Sequence, residues 1–273
     1  MKIVDIDHSL SSSTIQSYLK ESLQSIPIHV FNQVESTNDL AYDLISKSTR
    51  DRLIVLAEMQ TSGRGRRGRA WTSPTGTGLL MSLAWSFESP AAIHYEEWPL
   101  FAAWAAHQTI SQLTNANVEI KWPNDILIAG KKSCGILTEL STSGNKRHLI
   151  VGFGINVNLR SEDLPTELIH KATSLLVATG HTLDRNQLAA MLITQMDKLH
   201  MNVLQGFRFA DLRNTWISHC HTIGKQVQIL QGKELIEGLA TSIDQFGILD
   251  VVDHLGMHHR IASGEIIEGA MSL

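Results

Sequence analysis

The chain has 273 residues, of which 43% are hydrophobic and 18% charged, and its formal net charge is −4. An apolar fraction of this size can bury a large core, so a disordered chain is excluded, and the length suits one large domain or two unequal ones. The mild acidity excludes a nucleic-acid binder whose whole surface is basic and leaves room only for a local basic patch.

The two cysteines, Cys134 and Cys220, lie far apart in the sequence and without CxxC spacing. This excludes a disulfide scaffold and a cysteine-rich zinc site, and it indicates a reducing compartment. The N-terminus carries acids where a signal peptide needs an apolar stretch. The uncharged segment 98–118 contains polar residues that are costly in lipid, so it is predicted to be a buried helix. We therefore expect a cytoplasmic protein without a membrane partner.

Hydrophobic periodicity predicts the following elements in chain order. Helices are expected at Ile15–Leu23, after an N-cap at Ser36, around Leu100–Ile110, from a cap at Asp184 to Gly206, and from there to about Trp216. Strands are expected from Ile28 and at Arg52–Met59, Leu79–Phe87, Val118–Trp122, Ile126–Ala129, Cys134–Leu140 and His148–Val157. From Thr222 the period changes to two with regular turn signals, which predicts a small β-barrel. The fold class is therefore mixed α+β with a C-terminal β module.

The strongest motif is Gly63–Trp71, which contains four arginines and three glycines. Glycines let backbone N–H groups converge on an anion, and guanidinium groups match phosphate and carboxylate geometry. The alternative is a solvated basic loop or a nucleic-acid patch. Neither a Walker A motif nor a dinucleotide fingerprint fits the glycines of this chain.

A second motif is Lys121-Trp122-Pro123-Asn124-Asp125, followed by Lys132 to Leu137. Asp125 and Lys132 are predicted to lie on neighbouring strands of one hairpin, where the alternative is an ordinary surface ion pair. The third motif is Gly152–Asn158, whose alternate glycines indicate close approach of a ligand or of another backbone. Cys134 sits in an apolar strand that would raise its pKa, so it is not expected to be a nucleophile.

Taken together and in this order, these segments resemble the bacterial biotin protein ligases. The resemblance rests on Glu35–Asn38, Gln60–Trp71, Lys121–Asp125, Lys132–Leu137 and Gly152–Asn156, and it covers residues 28–160. It implies a mixed sheet packed by helices, of the class II synthetase and biotin–lipoate ligase type, followed by an SH3-like barrel. The expected domains are a short N-terminal extension at 1–27, a catalytic domain at 28–221 and an SH3-like domain at 222–273.

Some members of this family carry an N-terminal winged helix-turn-helix that binds operator DNA. Only 27 residues precede the first matching strand here, too few for three helices and a wing. The chain therefore resembles the monofunctional type, for which no DNA partner and no repressor role are expected. The sequence leaves open whether it is a monomer or a homodimer.

The chemistry implied by the resemblance has two steps. Biotin and ATP, with Mg²⁺ held mainly through the ATP phosphates and not by protein ligands, give biotinyl-5′-AMP. A lysine of the biotin carboxyl carrier protein of acetyl-CoA carboxylase then takes the biotinyl group. In this resemblance Lys132 bridges the carboxylate and the α-phosphate, Asp125 orients the incoming lysine or acts as its base, and Arg66 completes the catalytic set.

The remaining roles follow from the same resemblance. Biotin contacts are expected from Ser36, Thr37, Asn38, Gln60, Gly63, Arg64, Gly65, Arg66, Lys132, Gly135 and Gly152. ATP contacts are expected from Arg66, Arg67, Arg69, Trp71, Lys132 and Asn156. Glu265, near the end of the C-terminal module, resembles an acid that supports nucleotide or acceptor contacts.

Three other functions compete with this interpretation. A lipoate ligase or octanoyltransferase shares the fold and the attachment logic, but the arginine motif favours biotin. A DNA-binding regulator would show salt-dependent operator affinity, which the net charge of −4 disfavours. A biotin sensor without activity is disfavoured because both Lys132 and Asp125 are present.

Overall fold

The computed structural model describes residues 9–88, 94–232 and 234–267. Residues 1–8 and 268–273 of the two predicted terminal domains lie outside these ranges. The helices are α1 (Ser12–Tyr18), α2 (Glu21–Gln24), α3 (Thr37–Ser46), α4 (Trp98–Leu113), α5 (Leu175–Thr179), α6 (Arg185–Leu204) and α7 (Phe209–Ser218). The strands are β1 (Ile28–Val34), β2 (Arg52–Gln60), β3 (Gly78–Glu88), β4 (Val118–Lys121), β5 (Asp125–Ile128), β6 (Lys131–Ser143), β7 (Lys146–Asn156), β8 (Gln226–Gln231), β9 (Glu234–Ile243), β10 (Leu249–Val252), β11 (His258–Ile261) and β12 (Glu265–Ile267).

The first seven strands form one sheet in the order β1-β2-β3-β7-β6-β5-β4. The β1–β2 pair is parallel and the other described pairs are antiparallel, which makes the sheet mixed. The central strands β2, β3 and β7 each contain a long buried run. Such runs are typical of strands that are covered on both faces.

Helices cover the sheet on two sides. On one face α3 contributes Ala41 and Ile45 to a small cluster with Val55, Ala84 and Ile150 of the sheet. Helices α4 and α6 belong to the larger core cluster on the other face. The predicted mixed α+β fold is confirmed, and the α3 face matters most because the candidate site lies beside that helix.

The N-terminal segment differs from the single helix predicted over Ile15–Leu23. Helix α1 ends at Tyr18, the following residue Leu19 has an extended backbone, and α2 starts at Glu21. The side-chain amide of Gln24 donates to the Leu19 carbonyl at 3.0 Å, which satisfies the carbonyl left free by this break. Burial of Ile15 and Leu23, on either side of the break, keeps both helices against the core.

The C-terminal strands form a five-stranded antiparallel sheet in the order β11-β10-β9-β8-β12. Gly232, Gly247 and Gly256 occupy its turns with positive φ, as the turn signals predict. The predicted β module is confirmed, and within the described residues no ladder joins β11 to β12.

Trp122 connects this module to the main sheet. Its buried indole donates to the Gly247 carbonyl at 3.0 Å, and its main-chain N–H donates to Thr222 Oγ1 at the same distance. Among the described helices, none combines the length and apolar character that a membrane span requires.

Candidate active site

A cavity of about 640 Å³ opens on the α3 face of the main sheet, between the arginine loop (residues 63–71), α3 and the C-terminal module. Its size is in the range of small-molecule sites. Most residues proposed from the sequence line it: Ser36, Thr37, Asn38, Gln60, Arg64, Gly65, Arg66, Arg67, Arg69, Trp71, Asp125, Lys132, Gly135, Gly152, Asn156 and Glu265. Gly63 is the member of that set that lies outside the lining.

Three glycines of the sheet form the base of the cavity, and each has a neighbour that a side chain would strike. A Cβ on Gly154 would lie 2.3 Å from the Trp71 ring, and one on Gly135 would lie 2.9 Å from it. A Cβ on Gly152 would lie 2.1 Å from Asn38 Oδ1. The alternate glycines are therefore explained by close approach of other side chains to the sheet.

The arginine loop folds into a short hairpin. The main chains of Arg64 and Ala70 form an antiparallel β-bridge, and the Trp71 N–H donates to the Gly63 carbonyl at 2.9 Å. At the tip, Arg67 has a φ of 56°, a left-handed conformation that is uncommon for a residue with a side chain. Gly63 is buried where it pairs with Trp71, and a Cβ there would lie 2.3 Å from the Trp71 carbonyl oxygen. Its role in the structure is thus to close the hairpin.

The Lys132 ammonium lies in the cavity because β6 contains a register shift. Opposite Ile126 and Leu127 the pairing moves from Cys134 to Lys132, so Ser133 is an extra residue. A bulge of this kind exchanges the two faces of a strand. Lys132 therefore shares a face with Gly135, and its Nζ lies 2.7 Å from Asp125 Oδ1. The predicted proximity of Asp125 and Lys132 is confirmed.

The main-chain N–H and carbonyl of Lys132 both form hydrogen bonds with residues 171–173. Its N–H donates to the Lys171 carbonyl at 2.8 Å, and its carbonyl accepts from the Thr173 N–H at 2.9 Å. The Lys132 ammonium also lies 5.6 Å from the centre of the Trp71 ring, within range of a cation–π interaction. The position of this ammonium is thus set by three separate parts of the chain.

A run of hydrogen bonds occupies the polar end of the cavity. Gln60 Oε1 accepts from the Thr37 main-chain N–H at 2.7 Å and from its hydroxyl at 3.0 Å. The buried Ser82 hydroxyl lies 2.8 Å from Thr37 Oγ1 and 2.6 Å from Asn38 Oδ1. Ser36 caps α3 by accepting from the Asp39 N–H. These groups present several donors and acceptors within one small region.

Three of the four arginines of the loop pair with carboxylates. Arg64 pairs with Asp39 and Glu139, and Arg67 and Arg69 pair with Glu265. Arg66 instead donates to the neutral side chain of Asn124 at 3.0 Å. Burial lowers the pKa of the Arg66 guanidinium below its ordinary value, an effect that Asp125 opposes.

A guanidinium remains charged in proteins, so Arg66 places a partly desolvated cation in the cavity. Burial also raises the pKa of the Cys134 thiol, which agrees with the expectation that this residue is not a nucleophile. Within the described ranges no group of three His, Cys, Asp or Glu residues is arranged to hold a metal ion.

Two comparisons decide the family. The model of the biotin/lipoate A/B protein ligase family matches residues 30–156. The protein of Mycobacterium tuberculosis named biotin–[acetyl-CoA-carboxylase] ligase is 30% identical over 247 residues, which cover 88% of each chain. The chain belongs to the biotin/lipoate A/B protein ligase family.

Within this family, the bifunctional ligase/repressor BirA of Bacillus subtilis is 34% identical over 258 residues, covering 94% of this chain and 78% of BirA. The biotin protein ligase of Aquifex aeolicus, solved in complex with biotin and ATP, superimposes with a TM-score of 0.73 at 26% identity. That match covers 88% of this chain and 97% of the Aquifex chain.

The structure adds contacts at the site that the sequence motifs do not assign. Asn124 donates to the Ile136 carbonyl at 2.6 Å and accepts from Arg66, so it links the β5–β6 hairpin to the arginine loop. Ser82 could have been found, because it is the polar residue within the apolar run Leu79–Ala84. The segment 159–172 also contributes to the lining, through Leu159, Asp163, Leu164, Pro165, Leu168, Lys171 and Ala172.

Proposed function

We propose that this chain is an ATP-dependent biotin protein ligase. It activates biotin as biotinyl-5′-AMP and transfers it to a lysine of the biotin carboxyl carrier protein of acetyl-CoA carboxylase. The observation that carries the proposal is the convergence of Lys132 and Arg66 on one cavity whose other end is the polar group formed by Thr37, Asn38 and Gln60. Membership of the ligase family and the likeness to biotin ligases support the choice of substrate.

The polar end of the cavity suits the ureido group of biotin. A ureido group presents two N–H donors and one carbonyl acceptor, and the hydroxyl and amide groups of Ser36, Thr37, Asn38 and Gln60 offer both kinds of partner. The apolar tail of biotin would then run past Gly135 and Gly152, which line the same cavity. This orientation directs its carboxylate towards Lys132 and the arginine loop.

The first step joins two anions, so their repulsion must be reduced. Two unit charges at 4 Å interact by about 1 kcal/mol in water and by about 4 kcal/mol at an effective dielectric constant of 20. Fixed cations can therefore remove several kcal/mol from the barrier. We assign this role to Lys132, between carboxylate and α-phosphate, and to Arg66. A carboxylate oxygen of biotin forms the new bond to the α-phosphorus while the bond to the β-phosphate oxygen breaks and pyrophosphate leaves.

In the second step the acceptor lysine amine attacks the acyl carbon and AMP leaves. We assign Asp125 to this step because its carboxylate lies 2.7 Å from Lys132 and borders the cavity. When Lys132 turns to the substrate anions, the Asp125 carboxylate becomes available to orient the incoming ammonium or accept its proton. Trp71, Arg67, Arg69 and Asn156 would contact the nucleotide from the loop and the end of β7.

The described residues offer no carboxylate cluster for Mg²⁺. Mg²⁺ binds nucleotide phosphates through few protein ligands, so this donor set fits a metal ion that arrives with ATP. Bound there, Mg²⁺ would supply additional neutralisation of the triphosphate.

We also assign residues 28–221 to a catalytic domain and 222–273 to an SH3-like domain. The free thiols of Cys134 and Cys220 support a reducing, cytoplasmic location.

The proposal is tested with purified protein, ATP, Mg²⁺ and a biotin carboxyl carrier domain. Mass spectrometry should find one biotinyl group on a single lysine, and omission of ATP should abolish the product. A parallel reaction with lipoate in place of biotin separates the two branches of the family. Lipoylation without biotinylation, or no labelling by either acid, would contradict the proposal.

A further inference from the structure

Glu139 on β6 lies outside the cavity lining, yet its carboxylate contacts two residues that border the cavity. Oε2 accepts from Asn38 Nδ2 at 2.7 Å, and Oε1 accepts from Arg64 Nη2 at 3.2 Å. Asn38 belongs to α3 and Arg64 to the arginine loop, so one side chain contacts both of these segments, which line the cavity. The side chain is two-thirds buried, with 33% of its surface exposed.

Both partners of Glu139 are hydrogen-bond donors. A guanidinium can only donate, and the nitrogen of the Asn38 amide can only donate as well. An ionised carboxylate accepts at both oxygens and so satisfies both partners at once. A glutamine of the same shape has one acceptor and one donor, so it must direct its NH₂ group at one of the two donors. The bridge therefore requires a carboxylate and not merely a polar side chain.

The Asn38 amide is held in one orientation by this arrangement. Its nitrogen faces Glu139, so its oxygen faces the buried Ser82 hydroxyl at 2.6 Å. The same oxygen lies so close to Gly152 that a Cβ there would be 2.1 Å away. The amide is thus pressed against the sheet at the base of the cavity, and turning it over would place its nitrogen towards Ser82 and its oxygen towards the carboxylate.

We propose that Glu139 is a positioning residue for biotin binding. With one oxygen it fixes the Asn38 amide over Gly152, and with the other it holds Arg64, and hence the start of the arginine loop, beside the same end of the cavity. This inference rests on the proposed function, because it takes the polar end of the cavity as the biotin site. Glu139 acts through Asn38 and Arg64, so it sets the affinity for biotin and not the rate of the chemical steps.

The test compares the isosteric variant Glu139→Gln with the matched control Asp39→Asn. Asp39 also pairs with Arg64, but the Asn38 amide nitrogen donates to Glu139 and not to Asp39, whose side chain is 57% exposed. Calorimetry without ATP gives the Kd for biotin, and pyrophosphate exchange gives KM and kcat. Loss of a hydrogen bond to a charged group predicts a Kd about tenfold higher for Glu139→Gln. Glu139→Asp, which keeps two acceptor oxygens, should recover part of that loss.

The control variant and the rate constants distinguish a positioning role from a general loss of binding. Asp39→Asn should change the Kd by less than about twofold, and Glu139→Gln should raise KM for biotin with kcat changed by less than about twofold. An unchanged Kd in Glu139→Gln, with or without a lower melting temperature, would overturn the inference. So would an equal loss of affinity in Asp39→Asn, or a fall in kcat at constant KM. If the wild-type chain bound no biotin, the proposed function itself would be wrong, and the inference with it.

Discussion

Replacement of Gly154 by alanine tests whether the glycine serves the approach of Trp71 to the sheet. The new Cβ would lie 2.3, 2.5 and 2.8 Å from three atoms of the indole ring. Non-bonded carbon atoms are normally about 3.5–4.0 Å apart, so the ring must move by more than about 1 Å. Overpacking of this kind typically costs about 1–3 kcal/mol. Gly154 has ordinary extended backbone, so alanine would otherwise stabilise the strand by about 0.4–1 kcal/mol.

The two contributions are separated by a double-mutant cycle with Trp71→Ala. In the wild-type background Gly154→Ala should lower the free energy of unfolding by about 1–2 kcal/mol. In the Trp71→Ala background the indole is absent, so the same change should be neutral or slightly stabilising. Urea unfolding of the four proteins, with midpoint and slope fitted separately, measures both values. An equal loss of stability in both backgrounds would refute the role assigned to the indole.

Three further predictions concern buried charges and titrating groups. Burial lowers the pKa of His107 and His200 to about 4. As the pH falls, the unfolded chain therefore binds protons that the folded chain does not bind. The free energy of unfolding should fall by about 2 kcal/mol per histidine between pH 7.5 and pH 5. Urea titrations at both pH values check this, and an unchanged midpoint would contradict it. Arg185 is 1% exposed and pairs with Glu58 at 2.7 Å. Glu58→Ala should therefore lower the free energy of unfolding by about 3–5 kcal/mol. A urea midpoint close to that of the wild type would show that the Arg185 charge is compensated elsewhere. Arg66→Gly removes the partly desolvated cation from the loop and should therefore release the adenylate. Released adenylate would attach biotin to the amines of an unrelated protein added to the mixture. Labelling of that protein equal to the labelling by the wild type would contradict this role of Arg66.

Much of the main sheet and its helices could be predicted from periodicity alone. The long buried runs of β2, β3 and β7 and the capped helix α6 have strong local signals, and the structure places them near the predicted bounds. The break between α1 and α2 has no such signal, because Leu19 and Lys20 are compatible with a helix. The hydrogen bond that accompanies the break, from the Gln24 amide to the Leu19 carbonyl, is visible only in the folded chain.

Site residues that belong to a recognisable motif could be predicted from the sequence. Contacts that depend on the register between strands could not. Asp125 and Lys132 could be placed on one hairpin from the turn between them. Their shared face, however, depends on the extra residue Ser133, and a register shift leaves no clear pattern in the sequence. The contact of Glu139 with Asn38 joins residues 101 positions apart, and only the folded sheet brings them together.

The role of Lys132 is tested by biotin-dependent exchange of labelled pyrophosphate into ATP, measured for the wild type, Lys132→Ala and Lys131→Ala. Lys131 is the matched control, because its ammonium donates to the Ile169 carbonyl at 3.1 Å and does not line the cavity. If Lys132 brings the two anions together, its loss should reduce the exchange by about a hundredfold or more, since each ~1.36 kcal/mol is tenfold in rate. Lys131→Ala should retain exchange close to the wild-type rate. Near-normal exchange by a folded Lys132→Ala protein would contradict the account.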